Sequence, residues 1–209
     1  RLFSRRELHI FHYALPSEPV SYSSPLLQRP GASEIQDATL IDAVGIAWHY
    51  GDPLVEQRSV ETGSAIVDRS QRRVIKVAGP EAATFLNNLL SQKLDDVSSG
   101  FHAGALDLDM QGRVLHQVDL SRVEDAFYLD VPAAQFDSLL SFLTKMIFWS
   151  QVTVEEAELA VVTVLGEALP APADAVLSRD VVWRGPHRTD HLIPRSRLAE
   201  AVAELEAAG

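Results

Sequence analysis

The sequence predicts an α+β protein, with antiparallel sheets carrying amphipathic helices on one face. Three observations lead there. Short strand-like runs rich in β-branched residues, among them Val74, Ile75 and Val77, are separated by turn residues. Two longer segments repeat apolar residues at helical spacing: Phe85, Leu86, Leu89 and Leu90 in one, and Phe136, Leu139, Leu140, Leu143, Met146 and Ile147 in the other. Between them, three strand-like runs follow each other across turn-length gaps, the pattern of an antiparallel meander.

In chain order, residues 17–38 are rich in Ser, Pro and other polar residues and read as an irregular lead-in, assigned to 1–37, with order expected from near Ala38. Val44–Trp48 reads as a strand, and Asp52–Glu61 as a turn with a short helix. Arg73–Val77 is a strand. A helix over Pro80–Ser91 follows, with Pro80 in its first turn, where no backbone N–H is needed. The meander comprises Ala103–Leu108, Arg113–Leu120 and Ala126–Val131, with turns at Met110-Gln111-Gly112 and Val123-Glu124-Asp125. A second helix spans Ala133–Phe148, and Val152–Val154 closes the unit. Glu155, Glu156 and Glu158 then mark a break. Leu159–Leu165 suits a fully buried strand, Val176–Trp183 and Asp190–Ile193 are further strands, and a last helix covers Ser196–Ala208.

Composition narrows the function classes. The chain has 209 residues, 46% apolar and 22% charged, ordinary for a globular protein with a real core. A net charge of −11 argues against a general nucleic-acid binder, since phosphate contacts need clustered Lys and Arg. No apolar run is long enough to span a bilayer, and the basic start is interrupted by Glu7 and Pro16, so a cytoplasmic protein is expected. The absence of Cys removes disulfides, thiolate metal sites and cysteine nucleophiles from these residues. The seven His show no zinc-protease spacing; His187 and His191 are four apart, but Thr189 and Asp190 between them suit a loop or strand edge better than a metal-binding helix, and no metal is expected.

Candidate chemistry is sparse. His116 shares an apolar row with Val114, Val118 and Leu120; it is either a core histidine satisfied by backbone partners or a pocket group that positions a ligand or moves a proton. Gln117 and Asp119 take the other face. Asp107 and Asp109 read as the wet face of a sheet, or else as an acid pair. Arg72, Arg73 and Lys145 are candidate anion contacts that surface solvation also explains. Trp149, after Phe148, reads as a core aromatic, with stacking on a planar heterocycle as the functional reading. No phosphate loop and no nucleophile elbow appears.

Several segments, in order, resemble one family. They are Val67-Asp68-Arg69-Ser70, Gly79-Pro80-Glu81-Ala82-Ala83 with Leu89-Leu90-Ser91-Gln92, Leu108-Asp109-Met110-Gln111-Gly112-Arg113-Val114, Phe142-Leu143 through Val152, and Val164-Leu165-Gly166. The chain is similar to the folate-binding superfamily of the glycine-cleavage T-protein, an aminomethyltransferase, and its YgfZ-like relatives. The resemblance implies the T-protein/YgfZ-like aminomethyltransferase folate-binding fold. It implies a discontinuous first folate-binding module of 38–71 plus 157–209, an inserted α+β module of 72–156, and a C-terminal barrel domain absent from this chain.

Departures from the pattern separate the branches. Where the T-protein turn leads into Asp-Asp, this chain has His116-Gln117, so a carboxylate that aminomethyl transfer would need nearby is missing. Where the T-protein has Val-Val-Asn-Ala, this chain has Asp130-Val131-Pro132-Ala133. Both point to the YgfZ-like branch, although that branch's cysteine motif is also missing, and a fragment of a longer protein is expected. The resemblance implies a tetrahydrofolate-binding protein that supports iron–sulfur enzymes and tRNA modification, with those enzymes as partners, no direct nucleic-acid contact and no membrane. A T-protein-like aminomethyltransferase is the alternative, and a non-catalytic interaction module the second; enzymatic activity is left open. The implied ligand-binding residues are Asp109, Arg113, His116, Gln117, Val131 and Pro132, with no catalytic residue assigned.

Overall fold

Two antiparallel sheets lie face to face, each with helices on its outer side. The computed structural model describes residues 22–34 and 44–209. A short 3-10 helix at Pro25–Gln28 is capped by Ser24, whose hydroxyl accepts from the Leu26 N–H at 3.2 Å. Strands β1 (Ser33–Glu34) and β2 (Ala47–His49) pair beside it. Part of the stretch read as irregular therefore carries structure, while the rest of 1–37 lies outside the described residues. The strand predicted from Val44 starts three residues late, because Gly45 turns at φ +82 against the Tyr22 carbonyl.

Helix α1 (Pro53–Thr62) begins where the sequence puts it: the Asp52 side chain accepts from the N–H groups of Leu54 and Val55, and Pro53 opens the first turn. Strand β3 (Ser64–Asp68) was not foreseen; only its last two residues fell in a recognised motif. Next come β4 (Arg73–Ala78), α2 (Ala82–Leu89), β5 (His102–Leu108), β6 (Val114–Val123), β7 (Ala126–Val131), α3 (Ala133–Lys145) and β8 (Thr153–Ala157). They form a five-stranded sheet in the order β5-β6-β7-β4-β8, all neighbours antiparallel. Ile75, Val77, Val118, Leu120, Phe127, Leu129 and Val131 cover one face and pack on Phe85 and Leu86 of α2 and Phe136, Leu139 and Leu143 of α3. Burying such side chains is worth roughly 1.5–3 kcal/mol each.

Two boundary expectations are corrected. Pro80 lies in the turn before α2 rather than in its first turn, since Gly79, at φ +131, folds the chain back so that its carbonyl accepts from the Ala82 N–H. Helix α3 stops at Lys145, and Phe148 adopts φ +43 as the chain turns toward β8. Phe148 and Trp149 are consequently 73% and 95% exposed, not core.

After β8 the chain forms β9 (Leu159–Gly166), β10 (Leu177–Asp180), β11 (Arg188–Pro194) and α4 (Leu198–Ala208), preceded by a 3-10 turn at Arg195–Arg197. The second sheet runs β10-β11-β9-β3. The strand predicted over Val176–Trp183 is only four residues long, because Trp183 donates its indole N–H to the Pro186 carbonyl in a loop. Leu198, Ala201, Val202 and Leu205 of α4 seal the outer face against Ala160, Val162, Val164 and Ile193. On the inner face, Leu159, Val161 and Leu192 meet Val74 of the five-stranded sheet. Arg195 fastens the crossing: its guanidinium donates to the carbonyls of Ser70 (2.6 Å), Leu159 (2.8 Å) and Arg72 (3.1 Å). Among the described residues no helix is long and apolar enough to cross a membrane.

Candidate functional site

Strand alternation decides which nominated residues can meet. On β6, His116, Val118 and Leu120 turn toward the helices, leaving Gln117 and Asp119 on the face toward the second sheet. His116 is buried, and its partners are side chains rather than backbone: Nδ1 lies 2.7 Å from Asp107 Oδ2 and Nε2 2.8 Å from Ser138 Oγ on α3. Asp107 is thus a buried carboxylate, not part of a wet face. Val114, placed in the same row, is instead exposed, as a bulge opposite Asp107/Leu108 shifts the register.

Asp109 and Arg113 close the β5–β6 turn on each other. The Asp109 carboxylate accepts from the backbone N–H groups of Gln111 (2.8 Å) and Arg113 (2.9 Å) and from Arg113 Nε (2.6 Å). The Arg113 backbone N–H is the chief reason that the pKa of Asp109 lies below the usual aspartate range. Gly112, at φ +78, makes this turn possible. Val131 is fully buried in the helix-side core, and Pro132 precedes α3. Of the six nominated positions, Gln117 alone presents an exposed polar side chain on the inner face. Cross-strand pairing sets it beside Leu106, and sets Asp119 beside Gly104.

That inner face carries what the sequence did not announce: an ionic cluster between the sheets. Asp130 of β7, fully buried, receives Arg179 Nη2 of β10 at 2.6 Å and Arg72 Nε at 2.8 Å. Arg179 also donates to Asp190 of β11 (3.0 Å) and to Ser121 Oγ (3.2 Å), and Asp190 further receives Arg188 in a two-pronged contact and Thr163 Oγ1. Arg69 Nη1 stands 3.7 Å from Asp190 and, though buried, donates no hydrogen bond among the described residues. Asp119 Oδ2 lies 3.6 Å from Arg72 Nη2.

Burial alone would drive every member toward neutrality. For Asp130 and Asp190 the arginines outweigh it and hold both carboxyls below their ordinary value. Burial of Arg179 is likewise overcome by Asp130 and Asp190, which keep it charged. Arg69 goes the other way, lowered by burial and by Arg72. Asp119 is pushed up, first by burial and then by Asp130. A small cavity of about 140 Å³ opens here, lined by His102, Gly104, Asp119, Arg179 and Val182. The one signal available in the sequence was Asp130, a charge between Leu129 and Val131 in an otherwise apolar strand.

A larger cleft of about 710 Å³ lies on the outer side of the second sheet, between Leu26, Tyr50, Ile66, Leu169 and Leu205. Among the acids that line it, Asp68 accepts from Ser24 Oγ (2.5 Å) and the Ser70 N–H (2.9 Å), and the phenol of Tyr50 is pushed up by burial to about 12. The Tyr50 phenol therefore keeps its proton near neutrality.

The layered sheets and their connections define a class: the chain has the fold of the aminomethyltransferases. It superposes with a TM-score of 0.73 on the glycine cleavage system aminomethyltransferase T from Bartonella henselae, at 19% identity over 86% of this chain and 55% of that one. In sequence it is 29% identical over 134 residues to an aminomethyltransferase of Nitrosococcus oceani, covering 62% of this chain. The chain spans only 36% of that relative's length. No family model matches it.

Proposed function

We propose that this chain is the folate-binding part of a YgfZ-like protein, taking tetrahydrofolate on the inner face of the five-stranded sheet. The observation that carries the reading is the exposed Gln117, in the position where the resembling transferases have a carboxylate, on a sheet face edged by Leu106, Asp119 and an ionic cluster with a guanidinium nitrogen that has no hydrogen-bond partner among the described residues. The donor set suits the ligand: an apolar strip for a flat ring, an amide and a carboxylate for its polar edges, and arginines for an anionic tail. Bound tetrahydrofolate would supply a nitrogen that accepts or releases a one-carbon unit. Gln117 would hold it by hydrogen bonds, without the negative charge that favours a cationic aminomethyl group. Asp109, Arg113, His116, Val131 and Pro132 would shape the surrounding turn and strand ends. The support of iron–sulfur enzymes and of tRNA modification follows from the YgfZ resemblance.

The aminomethyltransferase relative favours a second reading, transfer of a one-carbon unit to tetrahydrofolate. Against it, His116 faces the helices and is tied to Asp107 and Ser138, so it does not replace the missing carboxylate on the ligand face. Titration of tetrahydrofolate into the chain, followed by calorimetry, tests the proposal. Saturable binding with no aminomethyl transfer supports it, and transfer activity favours the second reading. Absence of binding leaves an interaction module.

A further inference from the structure

Asp119 is the one member of the inner-face cluster whose carboxylate is uncommitted. Its oxygens accept no hydrogen bond among the described residues; its ion pair with Arg72 spans 3.6 Å, against 2.6–2.8 Å for those of Asp130. The side chain is 32% exposed, yet it lines the cavity of about 140 Å³ together with Arg179, Val182 and His102. Directly across the strand pair stands Gly104, where an added Cβ would meet only Asp119 Oδ1, at 3.9 Å. The glycine leaves the carboxylate open from the side. A half-buried acid that neighbouring Asp130 repels, and that no donor satisfies, is costly unless something supplies donors.

Resting on the folate reading above, we propose that Asp119 is the anchor for the 2-amino-4-oxopyrimidine edge of the pteridine. That edge presents two parallel N–H donors, from the ring nitrogen and the exocyclic amine, which match the two oxygens of a carboxylate. The cavity takes the edge while the rest of the ring runs along Leu106 toward Gln117, two residues away on the same face of β6. Asp119 thereby fixes which end of the ligand enters, and Gln117 meets the portion nearer the one-carbon nitrogens.

The test is tetrahydrofolate affinity of the wild-type chain, Asp119→Asn and Gly104→Val, together with an analogue lacking the 2-amino group. Asp119→Asn keeps the shape but offers a donor where an acceptor is needed. It is expected to weaken binding about 10- to 100-fold, the worth of hydrogen bonds to a charged group. Gly104→Val, in a strand and against an open space, should preserve the fold and weaken binding similarly by covering the carboxylate. The wild type should discriminate against the analogue, and Asp119→Asn should not. If the wild type binds and both variants bind within about twofold of it, the Asp119 assignment is overturned and the folate reading stands. If the wild type does not bind, the folate reading fails and takes this inference with it.

Discussion

Replacing Asp130 by Asn tests whether the ionic cluster holds the two sheets together. The side chain is fully buried and accepts from Arg179 at 2.6 Å and Arg72 at 2.8 Å. Asn preserves the shape but retains one acceptor oxygen, so one guanidinium loses its charge-assisted bond at this position and faces an NH₂ group. Each charge-assisted bond is worth about 1.5–3 kcal/mol, and breaking one side of a buried pair costs about 3–5 kcal/mol. A loss of about 3–5 kcal/mol is therefore expected from urea unfolding at pH 7. The pH dependence supplies a second check. Burial raises the Asp130 pKa but Arg179 and Arg72 outweigh it, so the folded value lies below the unfolded value of about 4. The stabilisation is then complete above the unfolded value and is lost as pH falls through the folded one. The gap between wild type and variant should stay constant at neutral pH and narrow in acid. A loss below about 1 kcal/mol at an unchanged urea slope, or a gap that widens in acid, would refute the reasoning.

Three further outcomes are expected. His116→Ala leaves the Asp107 carboxylate buried and unpaired and should cost about 2–4 kcal/mol, whereas Ser138→Ala, at an exposed helix position, should cost under about 1 kcal/mol; paired urea titrations compare them. Gly79→Ala puts a Cβ 2.3 Å from the Gln151 carbonyl at φ +131, and should lower stability by about 1–3 kcal/mol in thermal or chemical unfolding. Gln117→Asp restores a carboxylate on the ligand face and should confer measurable aminomethyl transfer if that charge is what the chain lacks; binding of tetrahydrofolate without any transfer would show that more than this charge is missing.

Elements with one strong period were legible in the sequence. The meander strand Ala126–Val131, the turn at Gly112 and the apolar stripe of α3 were placed within a few residues, because alternation and helical spacing are local signals. Strand β3 was missed since Ser64-Ala65-Ile66 lacks alternation, and its pairing partner, β9, is far along the chain. The inner-face cluster was illegible for a related reason. Asp130, Arg179 and Asp190 come from three strands of two sheets, and no local pattern distinguishes a charge that meets a partner across the fold from one that meets water. Asp107 shows the same limit: read as solvated, it is buried against a histidine on the neighbouring strand.

The pairing of β3 with β9 has a consequence for the order in which the chain assembles. These strands are the arms of a hairpin whose connecting segment is the whole five-stranded sheet with its two helices. Zipping the arms first would require closing a long flexible loop, with the entropy loss that entails and no local reward. Once that intervening sheet exists, Val74 and Ala157 are cross-strand neighbours, and the two arms emerge side by side. Loop closure has by then already been achieved, and Arg195 needs only to dock on three carbonyls that stand together. Nucleation is thus expected in the middle of the chain, with the second sheet condensing onto it last, an order that φ-values would test.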